Sequence, residues 1–254
     1  MSDALIGYTG YVGGSILRER SFDACYRSTD IDTIRGAEFD TIVCCGAPAE
    51  KWRANRDPEE DRARLATLTT ALGRVRARRF ILVSTIDVYP SPSGVDERTA
   101  IDAAAGQPYG RHRYELEEFC RARFDTTVVR LPGLYGRGLK KNAVFDLLHD
   151  RPVDGIPGNA RFQFYDTERA WADIERALGT GASTVNITAE PVSMTMVAQQ
   201  VFGRELPTPW SHSAPSYDVR SVHAGLAGGR DGYWFDAQHV IAGLRRFVAQ
   251  ERGR

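Results

Sequence analysis

The sequence predicts an α/β fold, a doubly wound parallel sheet with a small C-terminal cap, and three observations carry this expectation. A short apolar run at residues 4–6 enters a glycine-rich turn and emerges in a helix. Apolar runs of strand length then alternate with amphipathic segments as far as Leu131, the order expected of a parallel sheet with right-handed crossovers. Finally, 254 residues with 42% hydrophobic content suffice for one good core and argue against two independent domains.

Residues 4–6 form the first strand and residues 12–20 the first helix. Residues 22–26 give a second short strand, and 41–45 a continuous apolar run of the kind buried on both faces of a parallel sheet. Leu65, Leu68, Leu72 and Val75 recur at helical spacing, which predicts an amphipathic helix over 59–75 leading into a strand at 80–84. A helix over 111–123 precedes the strand 127–131. Beyond Pro132 the elements shorten. Glycine clusters at 133–138 and 155–158 flank a helix at 142–149, and a strand at 162–165 follows. A strand at 185–187 and helices at 194–202 and 236–249 complete the chain, with 207–216 its most loop-like stretch.

The 33 basic and 33 acidic residues balance, so nothing draws the chain as a whole toward nucleic acid or an anionic membrane, and a polyanion must be caught locally. No apolar stretch is long enough to span a bilayer, and Met1-Ser2-Asp3 runs into the first strand without a basic leader. A cytoplasmic protein is expected. Cys25, Cys44, Cys45 and Cys120 show no metal-ligand spacing and read as reduced, buried thiols. The dispersed histidines offer no metal site. Lysine is confined to Lys51, Lys140 and Lys141 in an otherwise arginine-based set of cations.

Gly7-Tyr8-Thr9-Gly10-Tyr11-Val12-Gly13 sets glycines at three-residue spacing between strand and helix. A tight turn needs positive φ, a diphosphate needs bare backbone at close range, and the helix start presents unpaired N–H groups. The turn is expected to hold the pyrophosphate of NAD or NADP. Gly-x-x-Gly-x-x-Gly in this place resembles the extended short-chain dehydrogenase/reductase family, which includes the nucleotide-sugar epimerases, dehydratases and reductases. The resemblance extends to Val83-Ser84-Thr85-Ile86-Asp87-Val88-Tyr89, to Tyr109 through Arg113 against the family's Tyr-x-x-x-Lys, and to Arg130 through Gly136 against Arg-x-x-x-x-Tyr-Gly. Val185-Asn186-Ile187-Thr188 with Val192-Ser193-Met194 resembles its later strand and helix start. It implies a Rossmann-like sheet, with residues 1–131 mainly cofactor-binding and 132–254 a mixed, substrate-facing cap. It also implies cofactor contacts at Gly46, Ala47, Tyr109, Arg113 and Pro132 beside the glycine loop. Ser28 falls where NAD-preferring relatives carry an acid, with Arg27 beside it. A guanidinium and a hydroxyl suit a 2′-phosphate, so NADP(H) is expected over NAD(H), with Asp30 or Asp32 as alternative ribose contacts.

By the same resemblance, Tyr109 is the proton donor or acceptor and Thr85 the second hydrogen bond to the reacting oxygen. Arg113 replaces the family's lysine, keeping the charge without a transferable proton. The alternative is that Arg113 only solvates the helix face shared with Glu117, leaving a cofactor-binding regulatory or scaffold protein without catalysis. Asp87 stands alone where related dehydratases carry two acids, which favours a reductase, dehydrogenase or epimerase acting on a sugar or nucleotide sugar. Thr85, Asp87, Lys140, Lys141 and Asn142 are the candidate substrate contacts. The resemblance also implies a homodimer through the helices at 59–75 and 111–123, with Leu65, Ala66, Leu68, Leu116 and Phe119 as surplus apolar positions.

Overall fold

In the computed structural model, which describes residues 2–208 and 210–253, the chain begins β1 (Asp3–Ile6), α1 (Tyr11–Glu19), β2 (Ala24–Tyr26), β3 (Glu38–Cys44), α2 (Lys51–Arg56) and α3 (Pro58–Leu72). It continues through β4 (Arg76–Thr85), β5 (Ser93–Val95), α4 (Pro108–Arg123), β6 (Thr126–Leu131), β7 (Gly133–Tyr135) and α5 (Ala143–Leu148). Then follow β8 (Arg161–Phe162), β9 (Phe164–Asp166), α6 (Ala170–Gly179), β10 (Thr184–Asn186), β11 (Val192–Ser193), α7 (Met194–Val197), β12 (Asp218–Val219) and α8 (Ala237–Arg252). Met1, Pro209, in the loop-like stretch, and Arg254 lie outside the described residues.

The chain divides into two compact units. The first takes in the chain up to Ser91 with residues 98–131 and 170–186; the second takes in 92–97, 132–169 and everything from Ile187 on. The division is thus not a single cut at 131, because α6 and β10 return to the first unit.

The first unit is built on a six-stranded parallel sheet in the order β10-β6-β4-β3-β1-β2. Alternate strand residues Ala4, Ile6, Ile42, Cys44, Phe80, Leu82 and Val128 pack with Leu65, Leu68 and Leu72 of α3 and Leu116 and Cys120 of α4. The period of two places Leu5, Val43, Ile81 and Val129, also buried, on the opposite face. Helix α3 starts on Pro58 with Asp57 capping the Glu60 N–H at 3.1 Å, and three acids occupy its first turn, each favoured at a helix N-terminus. The second unit has its own core, in which Tyr135, Leu147, Met194, Leu244 and Phe247 meet.

Several expectations are corrected. Helix α4 starts three residues earlier than predicted, so Tyr109 lies in its first turn. Helices α2 and α6 were not anticipated: α2 is one short polar turn and a half, and α6 buries Ala170, Asp173, Ile174 and Ala177 along one side. The strand at 162–165 is two strands parted by Gln163. The buried Gln163 amide donates to Ala189 O and Val219 O at 2.6 and 2.8 Å and accepts from Val219 N at 2.9 Å. The helix at 194–202 widens from α to π geometry over Ala198–Phe202. All four cysteines are free, but only Cys44 and Cys120 are buried, and Cys120 is on a helix. Of the residues on which a dimer face was expected, Leu65, Leu68 and Leu116 are buried in the unit's own core with Phe119 packed against it, and Ala66 is exposed. Among the described residues no helix is long and apolar enough to cross a membrane, and no side-chain cluster is suited to a metal ion.

Candidate functional site

The glycine loop leaves the C-terminal end of β1, between β2 and β3, where the strand order turns back on itself. Such a crevice is where open α/β sheets take ligands. Gly7 has φ +84° and donates to Tyr26 O at 2.7 Å; a β-carbon on it would stand 2.4 Å from Cys45 O. A β-carbon on Gly13 would stand 2.2 Å from Gly7 O. Both glycines are required by the turn itself. Gly10 has φ −76° and ψ 174°, and its β-carbon would meet only Gly7 O, at 3.1 Å. Its lack of a side chain therefore presents bare backbone outward. Helix α1 begins at Tyr11 and Val12 with no side-chain cap and no acid in its first turn, while Tyr8 is half-buried and Thr9 exposed. Gly46 abuts the loop from β3, with Cys45 N on Ile6 O at 2.8 Å, and Ala47 packs on the core. Backbone donors at an uncapped helix start, beside a cradle that a β-carbon would fill, fit a dinucleotide diphosphate.

Beyond β2, Arg27 and Ser28 are exposed. Asp30 accepts from the Arg27 N–H at 2.7 Å and lies 3.4 Å from its guanidinium, and Asp32 pairs with Arg35 at 2.5 Å. Both acids named as alternative ribose contacts are thus engaged by arginines of their own turns.

Tyr109, Thr85, Asp87 and Arg113 come together at the C-terminal end of β4. The Tyr109 N–H donates to Asn55 Oδ1 of α2 at 3.0 Å, and Thr85 Oγ1 accepts from the Asp87 N–H at 3.1 Å. A β-carbon on Gly110 would lie 1.9 Å from Asp87 O, so only glycine lets α4 approach the turn after β4. Burial raises the Tyr109 pKa; the Arg113 charge counters it, Asp87 adds to it, and Lys51 and the Thr85 hydrogen bond oppose it. Asp87 pairs with Lys51 Nζ at 2.7 Å.

Arg113 does not share a solvated face with Glu117, as one expectation had it. It is buried, with its guanidinium 4.1 Å from the Tyr109 ring centroid. Nη2 donates to Asp61 Oδ1 at 2.8 Å and to Pro48 O, and Nη1 to Asp61 Oδ2 and, at 3.4 Å, to Tyr109 O. Its Nε is buried and has no partner among the described residues. His112 Nδ1 shares Asp61 Oδ2 at 2.8 Å. Glu117 instead pairs with Arg130 at 2.6 Å.

Pro132, Lys140, Lys141 and Asn142 belong to the second unit. Pro132 is buried, and both lysines are exposed. Asn142, a candidate substrate contact, is engaged at both ends of its amide: it caps Phe145 N at 3.0 Å and donates to Leu134 O at 2.8 Å. Its role is to start α5, itself only six residues long. Sequence reasoning missed Lys51, Asn55 and Asp61. Asp61 carried a signal, an acid on the same helical stripe as Leu65, Leu68 and Leu72, a place where a carboxylate has to find a buried partner.

The family model for the NAD dependent epimerase/dehydratase family matches residues 18–151, more than half of the chain and including Thr85, Tyr109 and Arg113. No curated protein matches the chain in sequence. Among solved structures, a UDP-glucose 4-epimerase from Thermotoga maritima with UDP-glucose is similar at TM-score 0.72 and 14% identity, covering 100% of this chain and 99% of that one. A dTDP-4-dehydrorhamnose reductase from Clostridium acetobutylicum gives 0.72 and 15%, covering 99% and 100%. The same enzyme from Bacillus anthracis in complex with NADP gives 0.71 and 17%, covering 98% of each. At these identities the structures speak for the fold, and the family match for the kind of protein. The chain belongs to the NAD dependent epimerase/dehydratase family and is an NAD(P)-dependent enzyme of the short-chain dehydrogenase/reductase type.

Proposed function

We propose that the protein carries out hydride chemistry at a hydroxyl or keto carbon of a sugar held as a nucleotide sugar, with Tyr109 and Thr85 handling the oxygen. The observation that carries this reading is the Tyr109 phenol, buried with the Arg113 guanidinium 4.1 Å from its ring centroid and the end of β4 at Thr85 beside the first turn of α4, in the unit that also holds the glycine loop. The loop from Gly7 to Gly13, with Gly46 and Ala47, would hold the dinucleotide, whose nicotinamide supplies or accepts the hydride. Tyr109 gives its proton to the carbonyl oxygen when an alcohol forms and takes it back in the reverse direction. Thr85 holds that oxygen in line, and Arg113 keeps a fixed positive charge against the ring.

NADP(H) is the preferred cofactor in this reading, supported by the exposed Arg27 and Ser28 and by the pairing of Asp32 with Arg35, while Asp30 pairs with Arg27 itself. Lys140 and Lys141 are the phosphate contacts of the substrate on the strength of charge alone. Similarity to solved enzymes with UDP-glucose, with NADP and with NAD supports a nucleotide sugar and a nicotinamide dinucleotide as the ligands. The test is turnover of a panel of nucleotide sugars with NADPH or NADH, followed by nicotinamide absorbance and product analysis, alongside dinucleotide titration. Tyr109→Phe is expected to keep dinucleotide affinity and lose about a hundredfold or more in turnover. Parent-like turnover in that variant sinks the acid–base role, and tighter binding of NAD than NADP sinks the preference.

A further inference from the structure

Arg113 stands where the family carries lysine, and its freedom is spent. Both terminal nitrogens are held by Asp61, one also by Pro48 O, and the side chain is 3% exposed. Its charge is met at once by Asp61, and the guanidinium lies over the Tyr109 ring. A second ion pair lies in the turn that the first turn of α4 packs against, where a β-carbon on Gly110, next to Tyr109, would stand 1.9 Å from Asp87 O. Lys51 projects from the first residue of α2 to Asp87, in the turn that follows Thr85, with Nζ 2.7 Å from Oδ1 and the lysine side chain 43% exposed. Lysine is scarce in this chain, and this one is at the candidate site.

We propose that Lys51 is the second cation of the Tyr109 site, a positioning residue whose ammonium, held by Asp87, offsets that carboxylate beside the phenol. The two duties of the family's lysine are thereby divided between a clamped Arg113 and a solvent-reachable Lys51. The proposal rests on the reading of Tyr109 as the acid–base group. Lys51 keeps its own proton throughout, and no bond to it forms or breaks.

The charged and titratable groups bearing on Tyr109 are Arg113 from α4, balanced by Asp61 of α3, and Asp87 from the turn after β4, balanced by Lys51 of α2; Thr85 adds a hydrogen bond. Burial raises the phenol pKa, and Arg113 and Lys51 pull it back while Asp87 pushes it further up. Without Lys51 that pull on the phenol is lost.

The experiment is an NMR titration of the full chain labelled at the tyrosine ring carbons, without cofactor or substrate, with the Tyr109 signal assigned by its loss in Tyr109→Phe. Lys51→Met is expected to raise the pH at which Tyr109 ionises by about one unit, an opposite charge at close range being worth that or more. Lys51→Arg is expected to restore it. Asp87→Asn is expected to move it down, and Lys51→Met/Asp87→Asn to return it near the parent. An unmoved Tyr109 titration in Lys51→Met, or a failure of Lys51→Arg to restore it, overturns the proposal. Because the titration uses no substrate, an absence of sugar turnover would sink the functional reading while leaving this result to stand or fall by itself.

Discussion

A β-carbon separates the three glycines of the first turn into two kinds. Gly7 and Gly13 answer to the polypeptide, since an added carbon would stand 2.4 Å from Cys45 O or 2.2 Å from Gly7 O. Gly10 has a φ that any residue adopts and one contact at 3.1 Å, so its bareness answers to something that approaches from outside. A diphosphate laid on the backbone is such a thing. Gly10→Ala is therefore expected to melt within a few degrees of the parent while dinucleotide affinity falls about tenfold or more, charge-assisted hydrogen bonds being worth roughly 1.5–3 kcal/mol each. Gly13→Ala should instead lose stability by about 1–3 kcal/mol, the usual cost of overpacking. Differential scanning and titration calorimetry on the two variants separate the cases; parent-like dinucleotide affinity in Gly10→Ala would reduce the loop to a tight turn. The triplet of glycines is legible in the letters because no other residue leaves backbone bare. Which of them faces the ligand is not, because φ is set by the turn as a whole.

Helix α4 shows what a single element adds. Pro108 at its first position starts it early, Asn55 receives the Tyr109 N–H, Gly110 admits the Asp87 carbonyl, and Asp61 fixes Arg113 and His112. The sequence reveals the six strands of the main sheet and the long helices α3, α4 and α8, the apolar residues of α3 repeating at Leu65, Leu68 and Leu72, while the short strands β5, β7, β11 and β12 stay hidden. Helix α2 stays hidden because six residues are too few for a period, and with it went Lys51 and Asn55. Asp61 is the test of this clamp. Burial alone would raise its pKa, but hydrogen bonds from Arg113 and His112 and their charges outweigh burial and bring it below the usual carboxylate range. A carboxyl whose folded pKa is depressed contributes stability in full above its unfolded pKa, near 4, and loses it as pH falls through the folded value. Asp61→Asn leaves buried Arg113 without a counter-charge and is expected to cost about 3–5 kcal/mol at neutral pH. Its urea midpoint should also fall less steeply than the parent's below about pH 4; equal slopes in that range would refute the clamp.

On the scale of the whole molecule, the first unit is held by a buried polar chain that joins residues far apart in sequence. Glu117 of α4 accepts from Ser84 Oγ of β4 at 2.6 Å and from Arg130 Nε and Nη2 of β6 at 3.0 and 2.6 Å. Arg130 Nη1 reaches the Tyr89 hydroxyl at 2.8 Å, and that hydroxyl takes the Asn186 amide of β10 at 3.1 Å. Arg130 is legible as part of a motif, but its partner is not, because the pairing depends on how α4 crosses two strands and no local spacing encodes it. The same holds for the candidate site: Thr85 and Tyr109 can be found by their surroundings in sequence, whereas Lys51 and Asp61 become neighbours only once α2 and α3 are laid against α4. Glu117 and Arg130 are almost wholly buried, and a charge left alone in such a place costs far more than the pair was worth. Glu117→Gln keeps an acceptor for Ser84 but deprives Arg130 of its counter-ion, and it should lower unfolding free energy by about 3–5 kcal/mol in urea titrations. Replacing both partners by apolar residues of similar size, Glu117→Leu with Arg130→Met, should recover most of that loss, because no buried charge then remains. If Glu117→Gln unfolded at the parent's urea midpoint, or the double variant were as unstable as the two single losses added together, the pair would not be the tie between α4 and the sheet that its geometry describes.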